Sequence, residues 1–175
     1  MPTPLLPADT PWGVVYPALK GQLHPLAIGQ EFTSLPTASN ADWTILQELA
    51  VQHDWQLPRL WRREVNRPGL ALILTDAAQQ ICWVNAGFAR MSGYPAAEVL
   101  GRRPSFLQGV GTVAATRTII RQRLQQARLF TGTVLNYRRN GQPYHCHVRI
   151  CPIRNAAGVL THFLAFEHEL FSLPL

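Results

Sequence analysis

The stretch FTGTVLNYRRNGQPYHCHVRICPIRN, residues 130–155, narrows the choice of fold more than any other part of the chain. It consists of two runs of alternating character on either side of Asn140-Gly141. Asn-Gly takes the positive φ angles of a tight hairpin turn, so two antiparallel strands follow. A second turn signal, around Asn155–Gly158, leads into VLTHFLAFEHE and a third strand. The side-chain period of two then sets Asn136, Cys146 and Glu167 on one face. Leu135, Tyr137, His145, His147, Leu164 and Phe166 fall on the other. Ahead of this meander lie two short strands, LALILTD and ICWVN, joined by AAQQ. They are followed by the short helical pieces AGFARMSGY and PAAEVLG, the second opened by Pro95, and by the long helical run TVAATRTIIRQRLQQARL. This order predicts an α+β domain, a five-stranded antiparallel sheet with short helices on one face.

The first third of the chain reads differently. Residues 1–38 hold seven of the fourteen prolines and little periodicity, which predicts an irregular arm. Its Trp12, Val14, Val15, Tyr16 and Leu19 are too apolar for a solvated linker. SNADWTILQELAVQHD predicts a helix with Ser39 or Asn40 as cap and Trp43, Leu46, Leu49, Ala50 and His53 on one face. A second short helix is expected in LPRLWRREVN, with Leu57, Leu60, Trp61 and Val65 as its apolar side, stopped by Pro68-Gly69. The domain division is therefore 1–66, arm and helical extension, and 67–175, the sheet domain. The outward sheet face carries too much apolar surface to stay wet. Residues of about 40 to 66 are expected to cover it, within one chain or, by preference, in a homodimer.

Charge and cysteine usage restrict the function classes. The net charge of +6 comes from the second part of the chain, where eleven Arg from Pro68 onward face four acids. The arginine pairs sit beside turns instead of forming a basic helix stripe, so nucleic-acid binding is not expected. Cys82, Cys146 and Cys151 show no metal-ligand spacing, and their odd, sparse count fits a reducing cytoplasm. MPTPLLPADTP has neither a positive n-region nor an apolar h-region, and no apolar run reaches the length of a bilayer span. The alternating His145 and His147, with His162 and His168, are a weak metal signal, and no site is assigned to them. No nucleophile motif, carboxylate pair or phosphate loop points to an enzyme.

ILTD, VNAGFARMSGYPAAEVLG, FLQG, NYRRNG and PIRNAAG, in that order, resemble a PAS domain over roughly Leu70 to Glu169. Within that superfamily FLQG followed by NYRRNG is most similar to the LOV subfamily, the flavin-binding blue-light sensors. The resemblance implies a flavin site, with FMN as the cofactor, built from Thr75, Phe106, Gln108, Arg121, Asn136, Cys146 and Glu167. Arg121 stands where the family carries a phosphate arginine, and Asn136 where an asparagine reads the pyrimidine edge. Its expected partner ten residues on is Cys146. The last strand's glutamine, which hydrogen-bonds flavin N5 and O4 in the family, is Glu167. The family's GRNCRFLQG is here GRRPSFLQG, so Pro104 replaces the cysteine that attacks the flavin, and Ser105 replaces a second phosphate arginine. A proline has no nucleophile, and adduct chemistry is therefore not expected.

The resulting expectation is a stand-alone sensory or signalling module, cytoplasmic and not an enzyme. It would act through its sheet face or N-terminal contacts, as a homodimer or on a partner in trans. Two other readings stay open at this point. One is a flavin-dependent redox protein, since flavins bring their own chemistry. The other is a ligand-free PAS interaction module.

Overall fold

The computed structural model describes residues 41–170. The arm 1–38 and the capping positions Ser39 and Asn40 lie outside the described residues. In chain order the elements are α1 (Ala41–Gln52), α2 (Trp61–Val65), β1 (Ala71–Asp76), β2 (Ile81–Val84), α3 (Ala86–Ser92) and α4 (Ala96–Val99). A short 3-10 helix (Pro104–Leu107) follows, then α5 (Ala114–Gln125), β3 (Phe130–Tyr137), β4 (Pro143–Arg154) and β5 (Leu160–Glu169). The five strands form one antiparallel sheet in the order β2-β1-β5-β4-β3. Both turn signals form hairpin turns with glycine at positive φ, Gly141 at 84° and Gly158 at 78°, while Asn140 stays out of the positive-φ region expected for it.

Strand alternation divides the interior into two cores, one on each face of the sheet. The inner core gathers Ala71, Ile73, Phe88, Val99, Leu107, Val134, Cys146, Val148 and Ala165 under α3, α4 and the 3-10 helix. The outer core gathers Leu72, Leu74, Trp83, Cys151, Ile153, Leu164 and Phe166 beneath Trp43, Leu46, Trp55 and Val65. The expected cover is thus supplied within one chain by α1, α2 and the segment between them. Among the polar ties that hold it are two side-chain contacts with the sheet. Trp55 Nε1 donates to Thr161 Oγ1 at 2.8 Å, and Arg149 on β4 pairs with Glu64 on α2. The Arg149 guanidinium also lies over the Phe166 ring, 4.2 Å from its centroid, and Trp61 meets that ring edge-on at 5.2 Å.

Three details differ from expectation. Leu60 is 86% exposed because α2 begins only at Trp61, after a turn, so the apolar side of α2 is Trp61 and Val65. Leu135 and Tyr137 are covered by the Gly109–Thr112 loop and not by the helices. A Cβ on Gly109 or Gly111 would lie within 3 Å of the Tyr137 ring or its hydroxyl oxygen. The GRRPSFLQG stretch, read as a connection, contains one turn of 3-10 helix with Pro104 at its start, where a missing N–H costs nothing.

Asn85 ties the two cores together. Its Oδ1 accepts from Phe88 N–H, capping α3, and from Leu72 N–H in β1, both at 2.9 Å. Its Nδ2 donates to Leu70 O at 3.0 Å and to Asp42 Oδ2 in α1 at 2.7 Å. Asn85→Ala removes four bonds and leaves buried partners unsatisfied, so a loss of about 2–4 kcal/mol in chemical denaturation is expected. Deleting residues 1–66 bares the outer core, and the truncated chain should aggregate or change its oligomeric state in light scattering. A soluble truncated domain of unchanged stoichiometry and stability would show that the helices are not a required cover.

Candidate functional site

A cavity of about 110 Å³ lies between the inner sheet face and the 3-10 helix and α5. Each strand on its wall contributes by alternation: Ile73 and Thr75 from β1, Val134 and Asn136 from β3, Val148 and Ile150 from β4, and Phe163, Ala165 and Glu167 from β5. Ile120 and Leu124 from α5 and Pro104, Leu107 and Gln108 complete the wall. Exposed Arg103 and Ser105 mark its open side, with half-buried Gln79 nearby. The enclosed volume is roughly that which holds one aromatic ring.

The loop that carries FLQG is fastened to the edge strand. Gln108 forms a β-bridge with Asn136, which brings two amide side chains to one wall. Thr112 Oγ1 donates to Leu135 O at 2.6 Å and accepts from Gly109 N–H at 3.0 Å, while Gly111 N–H donates to the Tyr137 hydroxyl at 2.9 Å. Arg117 on α5 donates to Gly109 O.

The structure brings Thr75, Gln108, Asn136 and Glu167 together on the cavity and places the other three candidate residues elsewhere. Phe106 turns toward the α3–α4 side, edge-on to Tyr94 at 5.0 Å, with the Arg102 guanidinium 3.9 Å from its ring centroid. Arg121 is exposed on α5 and does not line the cavity; Arg103 is the cation that does. Cys146 points inward and is fully buried, but it sits behind Glu167 and off the cavity wall. Arg103, Gln79, Ile120 and Leu124 were missed by sequence reasoning. The helical spacing of Ile120 and Leu124 was available as a signal, whereas Gln79 and Arg103 reach the site only through loop geometry.

Glu167 is the electrostatic anomaly. It is 4% exposed and takes part in none of the three ion pairs among the described residues, Arg138–Glu169, Arg139–Glu98 and Arg149–Glu64. Its hydrogen-bond partner is the Cys146 thiol, whose Sγ lies 3.6 Å from Oε2. Burial pushes the carboxyl up to about 7, and the thiol's hydrogen bond only partly opposes this. The same burial, with the charge of Glu167 next to it, drives the Cys146 thiol far above its ordinary value, so it stays protonated. Tyr144 on the same strand is raised for the same two reasons.

On the outer face His162 behaves oppositely. Burial, followed by the neighbouring His53, lowers it to about 4, with the Trp55 ring 4.6 Å away. No group of His, Cys, Asp or Glu among the described residues could hold a metal ion. His147 and His168 merely face each other across β4 and β5 at 5.0 Å.

These two buried groups give pH slopes of opposite sign. A raised carboxyl stabilises the fold fully below its unfolded value and loses that contribution as pH climbs through about 7. A lowered histidine contributes stability above its unfolded value and loses it as pH falls through about 4. Glu167→Gln should therefore leave an unfolding midpoint that rises from about pH 4 to 6.5, and His162→Gln one that falls from about pH 4.5 to 7, each by a few kcal/mol at most. Identical pH profiles for the two variants would contradict this assignment.

Residues 69–170 match the PAS domain family model. Over 101 residues, 56% of this chain, the sequence is 36% identical to phototropin-2 of Oryza sativa subsp. japonica. Over 115 residues, 66% of the chain, it is 32% identical to the nitrogen fixation regulatory protein of Klebsiella oxytoca. The matched regions span 11% and 23% of those two proteins. A crystal structure of the photo-excited blue-light photoreceptor Vivid is 27% identical and superposes with a TM-score of 0.55, covering 61% of this chain and 89% of that one.

Proposed function

We propose that this chain, which belongs to the PAS domain family and has a LOV-like fold, is a sensory module that holds a flavin nucleotide in its inner cavity and works without a cysteinyl adduct. The observation that carries this reading is the composition of one wall: Gln108 and Asn136 stand side by side, and Pro104 occupies the same wall where a reactive thiol would be required. The described cysteines offer no substitute. Cys151 belongs to the outer core, and Cys82 on β2 is half-buried, with burial and then Asp76 raising its thiol to about 11. Cys146 is protonated and shielded by Glu167.

The polar residues present fit the edge of such a group, whereas the enclosed volume of about 110 Å³ takes one ring, so the cavity would have to widen on its open side by Arg103 and Ser105 to admit all three rings. The Gln108 and Asn136 amides would hold the polar edge of the ring and Thr75 its flank, and Arg103 at the open side would meet the phosphate. When bound, a flavin supplies absorption of blue light and exchange of electrons. The chain's own part is to exclude water with Ile73, Leu107, Val148 and Phe163, and to orient the ring through the amides.

Output would leave through β5. Glu167 faces the cavity, while its chain neighbour Phe166 faces outward against Trp61 and the Arg149 that pairs with Glu64 on α2. A shift of β5 by a fraction of an ångström at Glu167 is therefore felt by the helical cover. With α1 and α2 in place, a homodimer on this face would be built through the helices. No helix among the described residues is long and apolar enough to cross a membrane.

An absorption spectrum of freshly purified protein, with mass spectrometry of the supernatant after denaturation, should show a flavin. Illumination should produce no reversible, thiol-dependent bleaching of its blue band, and Pro104→Cys should introduce one. Protein that stays colourless after incubation with FMN would refute the cofactor assignment. Thiol-dependent bleaching in the unmodified chain would refute the absence of an adduct.

A further inference from the structure

The cavity has one charged group at its enclosed end, and that group has no charged partner. Glu167 is held by β5 between Ala71 of β1 and Val148 of β4, its register neighbours, so both flanks are apolar. Facing it from β4 are Cys146 and Tyr144, both neutral at any physiological pH. From β3 comes Asn136, and from β1 Ile73 and Thr75. The Arg138 guanidinium, over the Tyr144 ring, is engaged by Glu169 at 2.6 Å and by Met91 O. Arg103 is the single cation on the cavity wall and stands at the exposed side, beyond the 3-10 helix. A thiol is a weak donor, so the Cys146 bond does little to hold a carboxylate charge.

A buried carboxyl in this position has two stable states. Without a ligand, it holds its proton until the pH climbs through about 7 and then ionises with no charge to offset its burial. A ligand that supplies the missing positive charge or N–H donors favours the ionised form. Carboxylates accept two parallel N–H bonds, and a planar ring carrying an amidine or an amino group beside a protonated nitrogen offers that pair. The enclosed space, about 110 Å³, is of the size of one such ring, and the remaining wall is apolar apart from the two amides and Thr75. A ring edge with acceptors alone would face a carboxylate across a water-poor gap, which is repulsive.

We infer that Glu167 is the ligand-selecting group of the cavity: it favours a planar heteroaromatic ligand that presents a protonated nitrogen or paired N–H donors to it, and it disfavours a ring that presents only acceptors while the carboxylate is ionised. This rests on the reading of the cavity as a ligand site and adds the chemical class of the ring edge that enters it; an oxidised flavin, whose N5 and O4 are acceptors, would be met there by the protonated carboxyl and opposed by the ionised one. Binding of the donor ring and loss of the proton from Glu167 are linked, so the preference strengthens as pH rises.

Benzamidine and benzamide test this on the full chain, because they share one shape and differ in charge. Titrations followed by calorimetry should give benzamidine an advantage of at least about tenfold near pH 8, the size of a charge-assisted pair. The advantage should shrink severalfold by about pH 5.5, where Glu167 holds its proton. Glu167→Gln should abolish the advantage and keep benzamide binding. The pH arm uses the unmodified protein, so it stands even where the variant fails to fold. Equal binding of the two probes near pH 8, binding of neither to protein free of flavin, or an advantage that persists in Glu167→Gln overturns the inference. A protein that takes FMN yet shows no benzamidine preference overturns this inference alone. A clear preference in a protein that never takes FMN supports it and overturns only the flavin assignment.

Discussion

The four hydrogen bonds of Asn85 set the frame in which the rest of the fold is assembled. One amide group, 6% exposed, closes the N-terminus of α3, joins β1 at Leu72 and the residue before the strand, Leu70, and reaches Asp42 in the helical cover. Both ends of the amide are used, which an aspartate could not do, since a carboxylate accepts and cannot donate. The close approach this enforces is visible at Gly87, where a Cβ would lie 2.0 Å from Leu70 O. Position of α3 over the sheet follows from this contact, and α3 in turn supports the roof of the inner core through Phe88, which is fully buried. At its other end α3 is joined to the β3–β4 hairpin, where Arg139 N–H donates to Ser92 O at 2.9 Å. The cavity therefore inherits its dimensions from contacts made well outside its wall.

A five-stranded sheet with a dry core on each face also separates two tasks that would interfere in a one-sided domain. The cavity lies on the inner face, and packing against α1 and α2 lies on the outer one. On β5 the two are one residue apart: Phe163, Ala165 and Glu167 look inward, while His162, Leu164 and Phe166 look outward. Because packed interiors resist continuous deformation, a displacement at one face must be absorbed by the other. The ties at the outer face are few and specific. Trp55 bonds Thr161, Ala156 N–H donates to Asp54 O at 2.9 Å, and Arg149 bridges Glu64 and the Phe166 ring. Each of these ties joins the cover to β4, β5 or the turn between them.

Much of this was legible in the sequence, for reasons that can be stated residue by residue. The strand meander followed from Asn140-Gly141 and from strict alternation, and alternation alone turned Asn136, Cys146 and Glu167 inward. The outer cover followed from the helical stripe Trp43, Leu46 and Leu49. What periodicity could not supply was the course of loops. The turn of Arg103–Gln108 decided that Phe106 would face Tyr94 and that Pro104 would line the cavity, and both outcomes depend on the fastening of Gly109–Thr112 to the β3 edge. Arg121 was chosen by motif position, but the helical face that meets the cavity is that of Ile120 and Leu124. Leu60 looked apolar and periodic, yet α2 starts one residue after it. Motif spacing locates a residue along the chain, whereas its rotation about a helix is set by packing that the motif does not encode.

Natural sequences tend to agree with their folds at every level, and the exceptions collect where function requires them. Glu167 is such an exception. A glutamine or leucine there would spare the cost of a buried carboxyl, and no neighbouring arginine has been placed to neutralise it. Its one partner, Cys146, is itself a residue whose thiol is stable only as a neutral donor in this setting. The pair is consistent as a unit: a neutral thiol donates, and the buried carboxyl, raised to about 7, accepts from it or holds a proton of its own. Neither residue alone would produce that behaviour. A carboxyl beside an arginine would remain ionised whatever the ligand, and a thiol without the carboxyl would be only a small buried hydrophobe. The local instability of an uncompensated charge is what makes the end of this cavity responsive to the charge and donor pattern of its contents.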